Sequence, residues 1–295
     1  MKNLLVAASC LRKLRRDQLP RWNLLMKELG LSLTFFEFSQ WLDIQFGIEV
    51  PLSLWEKEET DIILGWERGV IFAYCGGSLY PFSFSLLKDP PLIISFRGSF
   101  SGFLQPTLGV VGSREPRRES VQFMDQEFSD FLKKTRAVVV SGGARGIDQA
   151  AHSVAVRLGL PTIAVIPSGL ENIYPHDFKD WEKLILNSGG AIMSEYSTFE
   201  PMRKQNFLER NRLIAALSQT VLIVEARRKS GTMITAHRAI EQNKSLMVVP
   251  GHPHDFHFSG SLDLLSEGAT LVRDAQDLIT FYQSECGIGF SNIHI

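Results

Sequence analysis

A chain of 295 residues with 44% hydrophobic content suits one large globular domain, or a large domain with a smaller companion. Its 31 basic and 32 acidic side chains leave a formal net charge of −1, so any binding of a polyanion must rest on a local basic patch. The three cysteines, Cys10, Cys75 and Cys286, are far apart and odd in number; they suit a reducing cytoplasm, rule out a disulfide framework and offer no metal-ligand spacing.

In chain order, Leu4-Leu5-Val6-Ala7-Ala8-Ser9-Cys10 superficially resembles a lipoprotein cleavage site. The apolar stretch falls short of the roughly 7–15 residues of a signal core, and the basic run Arg12-Lys13-Leu14-Arg15-Arg16 lies on its wrong side. It reads as an ordinary helix, and no segment is apolar for long enough to span a membrane. Segments 21–29 and 33–46 read as helices stopped by Gly30 and Gly47. Residues 1–75 are therefore expected to form a small helical domain, a packing module in preference to a nucleic-acid-binding hairpin. Residues 76–107 are rich in Pro, Gly and Ser but carry Leu92-Ile93-Ile94; they are expected to be a connector that packs on the main domain.

From residue 108 the pattern becomes strand–helix alternation. Strands are predicted at 108–112, 137–141, 162–166, 190–194, 220–225 and 246–249. Ile147, Ala150, Ala151, Val154, Ala155 and Leu158 share one helical face between two of them. Short continuous apolar strands separated by helices predict an α/β domain over 108–285 with a mostly parallel sheet covered on both faces, followed by a tail at 286–295. Ligands of such sheets bind beyond the C-terminal strand ends.

Two of those ends are glycine turns followed by helices: Val111-Gly112-Ser113-Arg114, and Ser141-Gly142-Gly143-Ala144-Arg145-Gly146. Backbone N–H groups and the positive helix end suit phosphate there. Neither turn matches a full dinucleotide fingerprint or a Walker A loop, so a nucleotide cofactor is not expected. Tight turning alone explains the glycines but not the arginines beside them.

The segment Arg203-Lys204-Gln205-Asn206-Phe207-Leu208-Glu209-Arg210-Asn211-Arg212 opens a helix with the buried stripe Leu213, Ile214 and Leu217. Extending the stripe backward lands on Arg210, which must meet a buried carboxylate, with Asp148 and Glu225 as candidates, or line a cleft. Phe207 lies one turn before it. Cations on phosphates and a ring on a base suit a single strand of nucleic acid; a solvated charged face with Phe207 in the core is an equal reading of the same residues. Further along, Ser230 or Thr232 can cap the helix after Glu225-Ala226-Arg227-Arg228-Lys229, and Gly231 lets an anion approach. His252-Pro253-His254-Asp255-Phe256-His257 reads as a loop and not a metal site, and His152 reads as structural. No nucleophile elbow or paired catalytic carboxylates can be placed.

Taken with Tyr80-Pro81, Asp89-Pro90-Pro91, Arg97-Gly98, Ser230-Gly231-Thr232-Met233-Ile234-Thr235-Ala236, Pro250-Gly251 and Gly268-Ala269, these motifs resemble the DNA-processing protein A family, also called DprA or Smf, over roughly residues 80–285. The resemblance implies an extended Rossmann-like domain that binds single-stranded DNA in natural transformation and recombination. It also implies protection of incoming strands, loading of the RecA recombinase, a homodimer, and no catalytic step. Carried onto this chain, it implies a phosphate pocket of Arg114, Ser141, Gly142 and Lys204, with Phe207 stacking on a base and Arg210 and Asn211 shaping the pocket. Gly143, Arg145, Ser230, Gly231 and Thr232 join them as expected DNA- or phosphate-binding residues. The chain departs from the pattern at Arg117-Arg118-Glu119, where the family has a small hydroxyl residue and a glycine, and at Gly260-Ser261-Leu262, which lacks an asparagine. No winged-helix module is expected after the Rossmann-like domain, and the N-terminal unit matches poorly. Two rivals remain: a nucleotide hydrolase of a related Rossmann-like group, for which the loop at Lys229-Ser230-Gly231-Thr232 lacks the following acid, and a sensor of a small nucleotide.

Overall fold

The computed structural model describes residues 1–14, 18–29, 33–99 and 106–287. Arg15 and Arg16 of the basic run, the helix stop at Gly30, connector residues 100–105 and tail residues 288–295 lie outside the described residues. The chain divides into two compact units. One is Met1–Arg97 with Ser168–Asn172 and Met193–Met202; the other is Gly98–Pro167 with Ile173–Ile192 and Arg203–Ile295.

The first unit contains α1 (Lys2–Leu14), α2 (Gln18–Glu28), α3 (Phe35–Phe46), α4 (Leu52–Glu67), β1 (Ile71–Tyr74), α5 (Phe82–Ser85) and β2 (Ile93–Gly98), whose last residue falls in the second unit, with β1 antiparallel to β2. Every residue from Leu4 to Leu11 is buried, and α1 packs against α4. The apparent cleavage site is thus a core helix. Burial pushes the Cys10 thiol far above its usual range, and the Ser9 hydroxyl donates to the Glu58 carboxyl on α4. Arg12 and Lys13 converge on Glu200 at 3.1 and 2.5 Å, so this part of the basic run is used internally. Thr34 and Glu37 form a capping box on α3, and Gly47 closes that helix with φ +62°.

The second unit contains β3 (Thr107–Gly112), α6 (Arg118–Phe123), a π-helical turn at Met124–Phe128, α7 (Ser129–Thr135), β4 (Val138–Ser141), α8 (Ile147–Arg157), β5 (Thr162–Val165) and α9 (Trp181–Asn187). It continues through β6 (Ala191–Ser194), whose last two residues fall in the first unit, α10 (Lys204–Leu217), β7 (Thr220–Val224), α11 (Gly231–Glu241), β8 (Ser245–Val248), α12 (Ser259–Ser266), β9 (Thr270–Leu271) and α13 (Ala275–Glu285). All six predicted strands are present within about a residue at each end, and the expected α/β architecture with a mostly parallel sheet holds. The strand order is β6-β5-β4-β3-β7-β8-β9, with parallel pairing from β5 through β9.

The chain adds strands to one side of β3 as far as β6, then returns to add β7, β8 and β9 on the other. The order therefore reverses between β3 and β7, and the crevice at such a switch point is where open α/β sheets hold ligands. Leu108, Val110, Val139, Leu222 and Met247 from the strands pack with Ile147, Phe128, Phe131 and Tyr282 from the helical layer. That core fixes the strand ends on which the site is built.

Candidate nucleic-acid interface

The turns after β3 and β4 are joined to each other. The Ile147 N–H, at the start of α8, donates to the Ser113 carbonyl at 3.1 Å. Gly146, at φ +81°, permits this approach, because a Cβ there would overlap the Ser113 and Arg114 carbonyl groups. Gly143, at φ +70°, likewise passes over the ring of Phe178, and Gly142 lies under the guanidinium of Arg210.

The polar groups of the second glycine turn have internal partners. The Gly142 N–H donates to Asp148 Oδ2 at 3.2 Å, and the Ala144 N–H also donates to that carboxylate. The Ser141 hydroxyl donates to the Val110 carbonyl at 2.6 Å. An anion does occupy this turn, but it is the protein's own Asp148 on the first turn of α8. Burial raises the Asp148 pKa from 3.8 to about 6, against the opposing pull of Arg210 and the two N–H groups.

Arg210 is the buried arginine that the helical stripe predicts, 3% exposed. It donates through Nη1 to the Gly142 carbonyl at 2.7 Å and to the Val165 carbonyl, at the ends of β4 and β5. Of its two candidate carboxylates, Asp148 is the one it attracts. Glu225 instead turns toward the loop after β3, where its Oε2 accepts from the Arg117 N–H at 2.6 Å and the Ser120 hydroxyl at 2.7 Å. Glu225 adopts φ +60°, is wholly buried, and keeps Oε1 without a hydrogen-bond partner.

Phe207, one turn earlier on α10, is the centre of an open cluster. The Arg114 guanidinium lies 4.9 Å from its ring centroid and that of Arg210 lies 5.8 Å away. Tyr174 meets the same ring edge-on at 5.8 Å and 83°, a contact between distant segments that no spacing along the chain signals. Arg114 and Lys204 are exposed. Lys204 begins α10, whose N-cap Arg203 makes no side-chain cap and whose first turn has no acidic residue. Two cations thus sit at the positive end of a helix dipole, an unfavourable arrangement that a bound anion would reverse.

The remaining expected residues are placed as follows. Asn211 is buried and its Nδ2 donates to the Gly231 carbonyl at 3.4 Å. Ser230 caps α11 by accepting the Met233 N–H. The Thr232 hydroxyl donates to the Gly112 carbonyl at 2.9 Å, tying α11 to the end of β3. A Cβ on Gly231 would meet open space. Arg145 pairs with Asp177 at 3.0 Å and is not part of the Phe207 cluster. His152 is buried, hydrogen-bonded to Thr162 at 2.7 Å, and its pKa falls to about 3, first through desolvation and then through Arg210. Among the described residues, no three His, Cys, Asp or Glu side chains are grouped to hold a metal ion, and no helix is long and apolar enough to cross a membrane.

Residues 72–283 match the family profile described as DNA recombination-mediator protein A. The chain is 35% identical over 204 residues to the DNA processing protein DprA of Streptococcus pneumoniae, covering 69% of this chain and 71% of that protein. The solved structure of DNA processing protein A from the same organism superposes with a TM-score of 0.77 at 27% identity, covering 95% of this chain and 97% of that one. A structure of DNA processing protein A from Helicobacter pylori, described for its single-stranded DNA binding mode, aligns with a TM-score of 0.64 at 31% identity, over 72% of this chain and 96% of that one.

Proposed function

Because the chain belongs to the DNA recombination-mediator protein A family, we propose that it binds single-stranded DNA through the Phe207 cluster and acts in DNA uptake and recombination. The observation that carries this reading is one half-buried ring with Arg114 and Arg210 within 6 Å, on a helix that begins with the exposed Lys204. Bases stack on such a ring whatever their identity, and the flanking cations meet phosphates. Arg114 and Lys204 hold the strand, Phe207 stacks, and Arg210 with Asn211 fixes the helix against the turns. Ser141, Gly142, Gly143 and Thr232 form the floor, with the Gly231 edge left open to the strand. The domain that binds DNA is 108–285. The protein carries out no catalytic step and needs no cofactor. It works in the cytoplasm as a homodimer, shields incoming strands and hands them to the RecA recombinase.

The test is fluorescence anisotropy of a labelled oligo-dT across a salt series with duplex DNA as competitor. Binding that duplex fails to displace, and that weakens steeply with salt, is expected. Each phosphate contact contributes a slope of about −0.7 in log K against log salt for a single strand, so Lys204→Ala with Arg114→Ala should flatten the slope by roughly 1.4 and weaken binding. Unchanged affinity and slope in the double variant would overturn the site.

A further inference from the structure

The Phe207 cluster has a counterpart on the other side of the switch point. Phe256, in the segment after β8, exposes 66% of its surface, and the Arg227 guanidinium lies 5.5 Å from its ring centroid. This repeats the pairing of Phe207 with Arg114 at 4.9 Å. Lys229 is exposed on the same loop as Arg227, and among the described residues no carboxylate pairs with Arg227 or Lys229. The carboxylate nearest to Phe256 in sequence, Asp255, is already committed. It accepts the His257 N–H at 3.0 Å and faces Arg117 Nε at 3.4 Å.

The platform is built, not incidental. The loop after β7 is pinned by the start of α12: the Ala226 N–H donates to the Ser261 hydroxyl at 3.0 Å, and the Gly260 N–H donates to the Ala226 carbonyl at 2.8 Å. Gly260 lies so close to the Arg227 backbone that a Cβ would stand 2.9 Å from its carbonyl. Gly251 does the same for the ring of Phe258. The two aromatic platforms are connected by a single short loop. Arg114 stacks on Phe207 while Arg117, three residues on, reaches Asp255 beside Phe256, with its own N–H held by Glu225. Arg210 bonds the ends of β4 and β5, and Arg227 follows β7, so the line runs along the C-terminal ends across the reversal of strand order. From β4 to β8 is three strand spacings, about 14 Å.

We propose that Phe256, with Arg227 and Lys229, is a second base-stacking platform on which the same single strand of DNA is held after it leaves the Phe207 cluster. This rests on the reading of the Phe207 cluster as a single-strand site and extends it. A strand long enough to cross the β3–β7 crevice engages both rings; a shorter one engages only the first.

The experiment is anisotropy with a ladder of oligo-dT lengths on the full chain, comparing wild type, Phe256→Ala, Phe256→Trp and Arg227→Ala. On long oligonucleotides Phe256→Ala should weaken binding by about 5- to 150-fold, the range expected for loss of one stacked base. The shortest bound oligonucleotide should show no change, and Phe256→Trp should keep wild-type affinity at every length. Arg227→Ala should lower the salt slope only for long strands. If wild type binds a single strand and Phe256→Ala matches it at all lengths, the second platform is wrong and the first site stands. An equal loss at every length would also overturn it, since the residue would then act on the first site or the fold. If wild type binds no single strand at low salt, the reading of the Phe207 cluster fails and the second platform fails with it.

Discussion

Asp148 gives the most direct physical handle on the site. Its carboxyl is buried, bonded by the Gly142 and Ala144 N–H groups and attracted by Arg210, yet burial lifts its pKa from 3.8 to about 6. Between those values the folded protein holds a proton that the unfolded chain has released, so stability from this group is complete at low pH and lost as pH rises through about 6. With these two pKa values, the loss between about pH 4.5 and about pH 7 is about 2 kcal/mol. Other carboxyls oppose it. Asp255, lowered to about 2 first by the His257 N–H, contributes stability that is lost only as pH falls. They cancel in a difference. Urea unfolding of wild type and Asp148→Asn across this pH range should therefore show the wild type losing about 2 kcal/mol relative to the variant as pH rises. Binding should follow the same titration: neutral Asp148 leaves Arg210 and Arg114 less compensated, so single-stranded DNA should bind more tightly as pH falls through about 6 in wild type and not in the variant. A stability difference that is flat, or that grows in favour of wild type with rising pH, would refute the assignment of Asp148 as the buried carboxylate of this turn.

Two further substitutions separate fold from binding. Gly231 has open space where a Cβ would go and begins α11 without a positive φ, so Gly231→Ala should leave thermal stability unchanged or raise it by about 0.4–1 kcal/mol; a loss of oligo-dT affinity would then report an approaching ligand, and unchanged affinity would remove Gly231 from the interface. Ser120→Ala removes one of the two donors to buried Glu225 and should cost about 1–3 kcal/mol in urea unfolding, with a neutral result meaning that the Glu225 anchor for Arg117 is not needed for stability.

The strands were legible because each is a short uninterrupted apolar run, and Arg210 because it extends the stripe of Leu213, Ile214 and Leu217 by one turn. Helix α4 was not read from the sequence. Its buried row is Trp55, Glu58, Ile62 and Gly65, and a glutamate among the buried positions breaks the apolar period that betrays a helix. The partner of Arg210 was undecidable from spacing, since Asp148 and Glu225 both follow strand ends. The deciding fact is the φ of +60° at Glu225, which sends that side chain toward Arg117. The hydroxyls of Ser141 and Thr232 had the right chemistry for phosphate, but each donates to a main-chain carbonyl of β3, that of Val110 and that of Gly112. The Phe256 platform was hidden for a different reason. It joins residues about 30 positions apart, Arg227 and Phe256, in a segment whose histidines draw attention to metal chemistry instead.

The filled glycine turn also sets what kind of anion the surface can hold. Where nucleotide-binding folds leave the turn amides free, a single phosphate gains several N–H bonds and the helix dipole at once. Here the Gly142 and Ala144 amides of that turn are used by Asp148, and a phosphate brought to them would meet a carboxylate under a closed guanidinium. What stays available is spread over side chains: Arg114 on one loop and Lys204 at one helix start, with a ring between them. A strand can meet these cations in succession, each contact adding to the last. On the proposed site, affinity is therefore expected to rise with strand length, to be insensitive to base identity and to fall steeply with salt, which a mononucleotide sensor would not show.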